Sequence, residues 1–82
     1  MAEIVWLQTI VDAMLELPEE DFSTIFRKAE MLRRFPEMYP VRGRGRFRRC
    51  RWFLVGRWIV YYQVARGKVF MRAVWPARGR SA

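Results

Sequence analysis

The chain has 82 residues, 52% of them hydrophobic and 16% aromatic, with a formal charge of +8. This composition excludes a disordered tail and bounds the molecule to one modest domain, residues 1–82, with a thin core. With no histidine and one cysteine, the chain excludes zinc-finger spacings, Ser-His triads and an internal disulfide, so neither cofactor nor metal is expected.

The opening Met1-Ala2-Glu3 lacks the basic-then-apolar order of a signal peptide. No apolar run approaches the roughly 20 residues that cross a bilayer, so a cytoplasmic protein without membrane contact is expected. Glu3 to Trp6 reads as a short strand, rich in β-branched and aromatic types. Gln8 to Leu17 follows as a short helix, with Ile10, Val11, Met14 and Leu15 at helical spacing. Pro18-Glu19-Glu20-Asp21 opens a second helix, because proline suits the first turn and acids complement the helix N-terminus. Its apolar stripe is Phe22, Ile25, Phe26, Ala29 and Leu32, and Pro36 ends it.

Met38 to Arg46 reads as a loop, punctuated by Pro40, Gly43 and Gly45. Three strands follow: Phe47 to Val55, Trp58 to Val64 and Lys68 to Trp75. Turns at Gly56 and at Arg66-Gly67 separate them and are too short for anything but antiparallel hairpins. The expected fold class is therefore α+β: an N-terminal strand, a two-helix hairpin, then a three-stranded antiparallel meander with both helices packed on one sheet face.

Period two separates the faces of that sheet. Trp58, Val60, Tyr62 and Val64, with Val69, Met71, Ala73 and Trp75, are expected under the helices. Cys50, Trp52 and Leu54 are expected to join them, making Cys50 a small buried hydrophobe. The other face is expected to carry Arg49, Arg51, Phe53, Val55, Ile59, Tyr61, Gln63, Phe70, Arg72 and Val74. Such a mixture of cations and apolar groups suits phosphate contacts beside base stacking, or a peptide partner over the apolar part.

Charge divides the chain by position. All eight acidic residues lie at or before Glu37, and twelve of the sixteen basic residues lie after it. Fourteen of the sixteen are arginine, whose planar fork pairs with phosphate through two bonds and stacks on bases. An acid-free, arginine-rich half points to a polyanion, nucleic acid first. Arg42, Arg44 and Arg46 in the loop are nonspecific phosphate contacts in this reading, joined by Arg49. Arg57, after the turn glycine, serves equally as a phosphate contact or as a solvated turn residue.

The element order resembles the RelE/ParE toxin superfamily of type II toxin–antitoxin modules. So do the segments Leu17-Pro18-Glu19-Glu20, Arg34-Phe35-Pro36-Glu37-Met38, Leu54-Val55-Gly56-Arg57-Trp58-Ile59-Val60-Tyr61-Tyr62 and Ala73-Val74-Trp75-Pro76-Ala77-Arg78. The resemblance covers nearly the whole chain. It implies a toxin held inactive by a cognate acidic antitoxin, for which the mixed sheet face offers Phe53, Ile59 and Phe70. Of the two family mechanisms, a RelE-like one acts at the ribosome as an mRNA endonuclease (an mRNA interferase), and a ParE-like one poisons DNA gyrase. A plain nucleic-acid-binding module is a third reading.

For the RelE-like mechanism the resemblance implies Arg78 as the terminal-strand arginine, with Arg51, Arg72 and Tyr61 as further catalytic candidates. Cations would stabilise phosphorane charge and a proton carrier would serve the 2′-hydroxyl. Two departures stand out. Ile59 lies where the family often has arginine, and no tyrosine follows Arg78. Both leave room for the gyrase reading, which needs no catalytic set.

Overall fold

A computed structural model describes residues 1–77. In chain order the elements are β1 (Glu3–Trp6), α1 (Gln8–Met14), α2 (Glu19–Met31), β2 (Arg51–Val55), β3 (Trp58–Ala65) and β4 (Lys68–Pro76). The protein is α+β, with two helices and a four-stranded mixed sheet. The strand order is β1-β4-β3-β2. β2, β3 and β4 form the expected antiparallel meander, and β1 adds to it as a parallel edge beside β4. No helix among the described residues is long and apolar enough to cross a membrane.

Local chemistry explains the element ends. α2 begins directly after Pro18, with Glu19, Glu20 and Asp21 in its first turn against the positive end of the helix dipole. α1 stops at Met14, three residues before the expected end at Leu17; Leu15 N donates back to Val11 O, and Pro18 forbids continuation. The turn between β3 and β4 is Arg66-Gly67, with φ of 55° and 74°, the left-handed pair of a type I′ hairpin loop.

The core lies between the helices and one face of the sheet. Ile10 and Met14 of α1, with Ile25 and Ala29 of α2 and Leu32 just after it, pack on Ile4, Phe53, Val55, Val60, Tyr62, Val69 and Met71. Burying each of the Val, Leu, Ile, Met and Phe side chains among them is worth about 1.5–3 kcal/mol. Two polar ties fix the layers. Trp58 Nε1 donates to Asp21 Oδ2 at 2.8 Å, joining β3 to α2. Tyr62 Oη donates to Pro36 O at 2.9 Å, joining β3 to the segment after α2. Tyr62 has no exposed surface, and burial pushes its phenol up to about 12.

The face assignments expected from the sequence change at two places. The first is β2. Instead of running from Phe47, this strand starts at Arg51, because residues 46–49 form a turn with Arg49 at φ 78°. The Gly56-Arg57 turn has two residues and pairs Val55 with Trp58 directly. Val55 and Phe53 therefore share the core face with Trp58 and Val60, while Trp52 and Leu54 lie opposite. Phe53, expected on the open face, is 2% exposed and inside the core. Cys50 is buried as expected, yet it is not part of the helix-covered core.

The second place is β4. Tyr61 pairs with Ala73 and Tyr62 with Met71, which leaves Arg72 without a partner in a β-bulge. The extra residue reverses the alternation. Val69 and Met71 face the helices before it; Val74, paired with Val60, does so after it. Ala73 and Trp75, expected under the helices, therefore lie on the open face, and Val74 is on the core side instead of the open one.

Candidate nucleic-acid interface

β3 supplies the centre of the open face through Ile59, Tyr61 and Gln63. β2 adds Trp52 and Leu54 on one side, and β4 adds Phe70, Ala73 and Trp75 on the other. A bare sheet face of this kind would expose its rings. Here the turn before β2 folds across it. Arg42 N donates to Cys50 O at 2.7 Å and Arg49 N to Arg42 O at 3.0 Å, closing a loop from 42 to 50. The positive φ of Gly45 and Arg49 lets the chain reverse twice within it.

Closure places rings and guanidiniums in one layer. Phe47 stacks on Tyr61, with centroids 4.1 Å apart and planes 15° apart, and meets the edge of Trp75 at 6.3 Å. The Arg42 guanidinium lies 5.6 Å from the Tyr61 centroid. The Arg46 guanidinium lies 5.5 Å from Trp75 and 5.7 Å from Phe47. Each such cation–ring contact is worth about 0.5–1 kcal/mol when exposed. Tyr61 is consequently only 6% exposed, while Trp75 keeps 44% of its surface open. At the bulge, Arg72 is exposed and donates to Gln63 Oε1 at 3.0 Å.

The arginines of this face and its loop carry their charge without an acidic partner among the described residues. Among the described residues the ion pairs are Arg33–Glu30 and Lys68–Glu3, so no arginine from Arg42 to Arg72 has a carboxylate within reach. A cluster of unneutralised guanidiniums is costly in self-repulsion and attracts an anionic partner over a Debye length.

The sequence candidates divide accordingly. Arg42, Arg46, Arg72 and Tyr61 come together on the open face. Arg44 and Arg48 are exposed on the same loop, and Arg49 is in its turn. Arg57 is exposed in the β2–β3 turn, where its carbonyl accepts from Ala77 N at 2.7 Å. Arg51 is not on this face. Its Nη1 donates to Tyr39 O at 2.7 Å and Glu37 O at 3.3 Å, binding the segment before the loop to the edge of β2. Of the three antitoxin candidates, Ile59 and Phe70 are on the open face and Phe53 is in the core. Arg78 lies outside the described residues.

Sequence reasoning missed Phe47 and Trp75 as members of this layer. The signal for the first was available: glycines at 43 and 45 among alternating arginines favour a reversal over a strand. No sequence signal marks the bulge that turns Trp75 outward. Cys50 carries no chemistry here, since burial raises its thiol pKa, partly opposed by nearby Arg72, and a protonated buried thiol is inert. Among the described residues no group of three or more His, Cys, Asp or Glu could hold a metal.

No protein-family model, curated protein or solved structure matches the chain.

Proposed function

We propose that the open sheet face binds single-stranded nucleic acid, and that the chain is a toxin of RelE/ParE type that acts on ribosome-bound mRNA and is held by an acidic antitoxin. The observation that carries the binding reading is the layer of Arg42, Arg46, Phe47, Tyr61 and Trp75 with no carboxylate among its arginines. Guanidiniums serve phosphates, and the half-exposed Trp75 ring serves a base, each base–ring stack being worth about 1–3 kcal/mol. The toxin reading adds the sequence resemblance. In that reading Arg72 is the exposed cation beside the scissile phosphate, and Arg78 enters through the sequence resemblance alone; the ribosome orients the message and supplies much of the acceleration.

One observation favours a second reading. Arg51 is occupied by two backbone carbonyls, and Tyr61 is covered by Phe47. Fewer groups are then free for catalysis, which suits a ParE-like gyrase inhibitor.

The test is a side-by-side assay with one preparation on programmed ribosomes, on free RNA and on gyrase. The expected outcome is cut message on ribosomes and largely intact free RNA. Arg72→Ala and Arg78→Ala should each slow cutting more than about tenfold, or about 1.4 kcal/mol of transition-state stabilisation. Intact message together with lost supercoiling would move the assignment to gyrase.

A further inference from the structure

β1 is shorter than β4, and the difference opens a groove. β1 pairs with β4 only from Lys68 to Met71, and Leu7 N donating to Met71 O at 3.4 Å is the last bond between them. From Arg72 to Pro76, β4 has β3 on one side and, among the described residues, no strand on the other. α1 passes that open edge. The space between them is about 360 Å³. Its walls are small where a ligand needs room, at Thr9, Ala13 and Ala73, and aromatic at Trp75. Arg46 and Arg72 stand on the same groove.

We propose that this groove is a subsite for one unstacked nucleotide of a single strand, with its base against Trp75 and its phosphate held by Arg46 and Arg72. The inference rests on the open face being a nucleic-acid interface, and it adds the path of the strand: across the face, then over the β4 edge beside α1. The chemistry fits a nucleotide on three counts. Arg46 lies 5.5 Å from the Trp75 centroid, so a phosphate on that guanidinium brings its own base within reach of the indole. Trp75 is 44% exposed, which leaves ring surface for a base to cover. Finally, α1 walls the groove on one side, so a base must leave its stack to enter and a duplex is excluded.

The test fills the groove without altering charge. Thr9 is exposed in the first turn of α1, so Thr9→Trp can project bulk into the space while the core stays intact; Ala13→Leu is the second variant, and melting temperature reports folding for both. Binding of a labelled short oligouridine is followed by fluorescence anisotropy at several salt concentrations. Both filled variants should bind about tenfold or more weakly, the loss of one base–ring stack, with an unchanged salt slope. Arg46→Gln and Arg72→Gln should each lower the slope by about 0.7. A 5-bromouridine oligomer should crosslink at Trp75. If the folded filled variants bind like the wild type while the arginine variants weaken, the subsite is wrong and the open-face reading stands. If the wild-type protein binds no oligouridine, both fall. If the filled variants lose an acidic peptide instead of the RNA, the groove belongs to a protein partner and the nucleotide assignment is overturned.

Discussion

Tyr61 and Tyr62 are adjacent in β3 and nearly equally hidden, yet they belong to two different regions of the molecule. Tyr62 is sealed under the helices with Val60, Met71 and Ile25, and its hydroxyl is satisfied by Pro36 O. Tyr61 is hidden by a loop, with Phe47 on its ring and Arg42 beside it. One residue of β periodicity separates a dry apolar core from a layer of rings and unpaired cations. The contrast teaches that burial alone does not mark the core. What marks it is the chemistry of the neighbours: apolar groups and one satisfied carbonyl on one side, and on the other a loop carrying charges that water or an anion must satisfy.

The sharpest attempt to break the comparison removes each tyrosine in turn. Tyr62→Ala leaves a large cavity among fixed elements and should cost about 3–5 kcal/mol, enough to abolish cooperative thermal unfolding in a domain this small. Tyr61→Ala should cost clearly less, because the loop can settle into the space. Equal losses in denaturant titrations would erase the distinction between the two faces.

A smaller effect tests the hydroxyl of Tyr62. Its folded pKa is raised, to about 12, above the ordinary phenol value near 10. The neutral phenol is thus favoured in the folded state. That contribution is fully present below about pH 10 and is lost as pH rises toward 12. Tyr62→Phe removes one buried hydrogen bond, costing about 1 kcal/mol at neutral pH, and should flatten the fall in stability above pH 10. An unchanged alkaline unfolding profile in the variant would show that another group titrates there.

The smallest effect runs the other way. Arg49 holds φ 78°, where a side chain costs roughly 1 kcal/mol and glycine does not. Arg49→Gly should raise stability by about 0.5–1 kcal/mol by relieving that strain, while lowering the salt dependence of oligonucleotide binding. A gain in stability with weaker binding would mean the loop's geometry is kept at a cost to folding, as functional segments often are. A loss in stability would place the loop with the core side of the comparison.

The sequence made much of the architecture legible. Element order, both hairpins and the α2 start at Pro18 all follow from periodicity, proline placement and turn chemistry. Face assignment was legible only where turns fix it. The two-residue Gly56-Arg57 loop obliges Val55 and Trp58 to share a face, so parity counted from the turn would have put Phe53 in the core. The bulge at Arg72 was not legible, because it depends on how β3 and β4 settle on the helices and not on any local preference. β1 joining as a parallel edge was equally hidden, since a four-residue strand carries no mark of its partner. The candidate site followed the same division. The cations of the loop were legible by composition, and their ring partners were not, because Phe47 and Trp75 reach the open face through a turn and a bulge. Arg51 looked like its neighbours in sequence and was separated from them by two carbonyls.

The bulge has a consequence for how β4 can change. Side-chain identity at position 72 is loosely constrained, since the residue is exposed and its neighbours on either side are set by backbone pairing. Chain length there is free in one direction only. Deleting that one residue would join Met71 to Ala73 in unbroken alternation and keep Ala73, Val74 and Trp75 opposite Tyr61, Val60 and Ile59, so the faces stay as they are; one more residue taken into the paired strand after Met71 would instead reverse them. A library at position 72, the deletion included, would therefore explore function without turning the strand over.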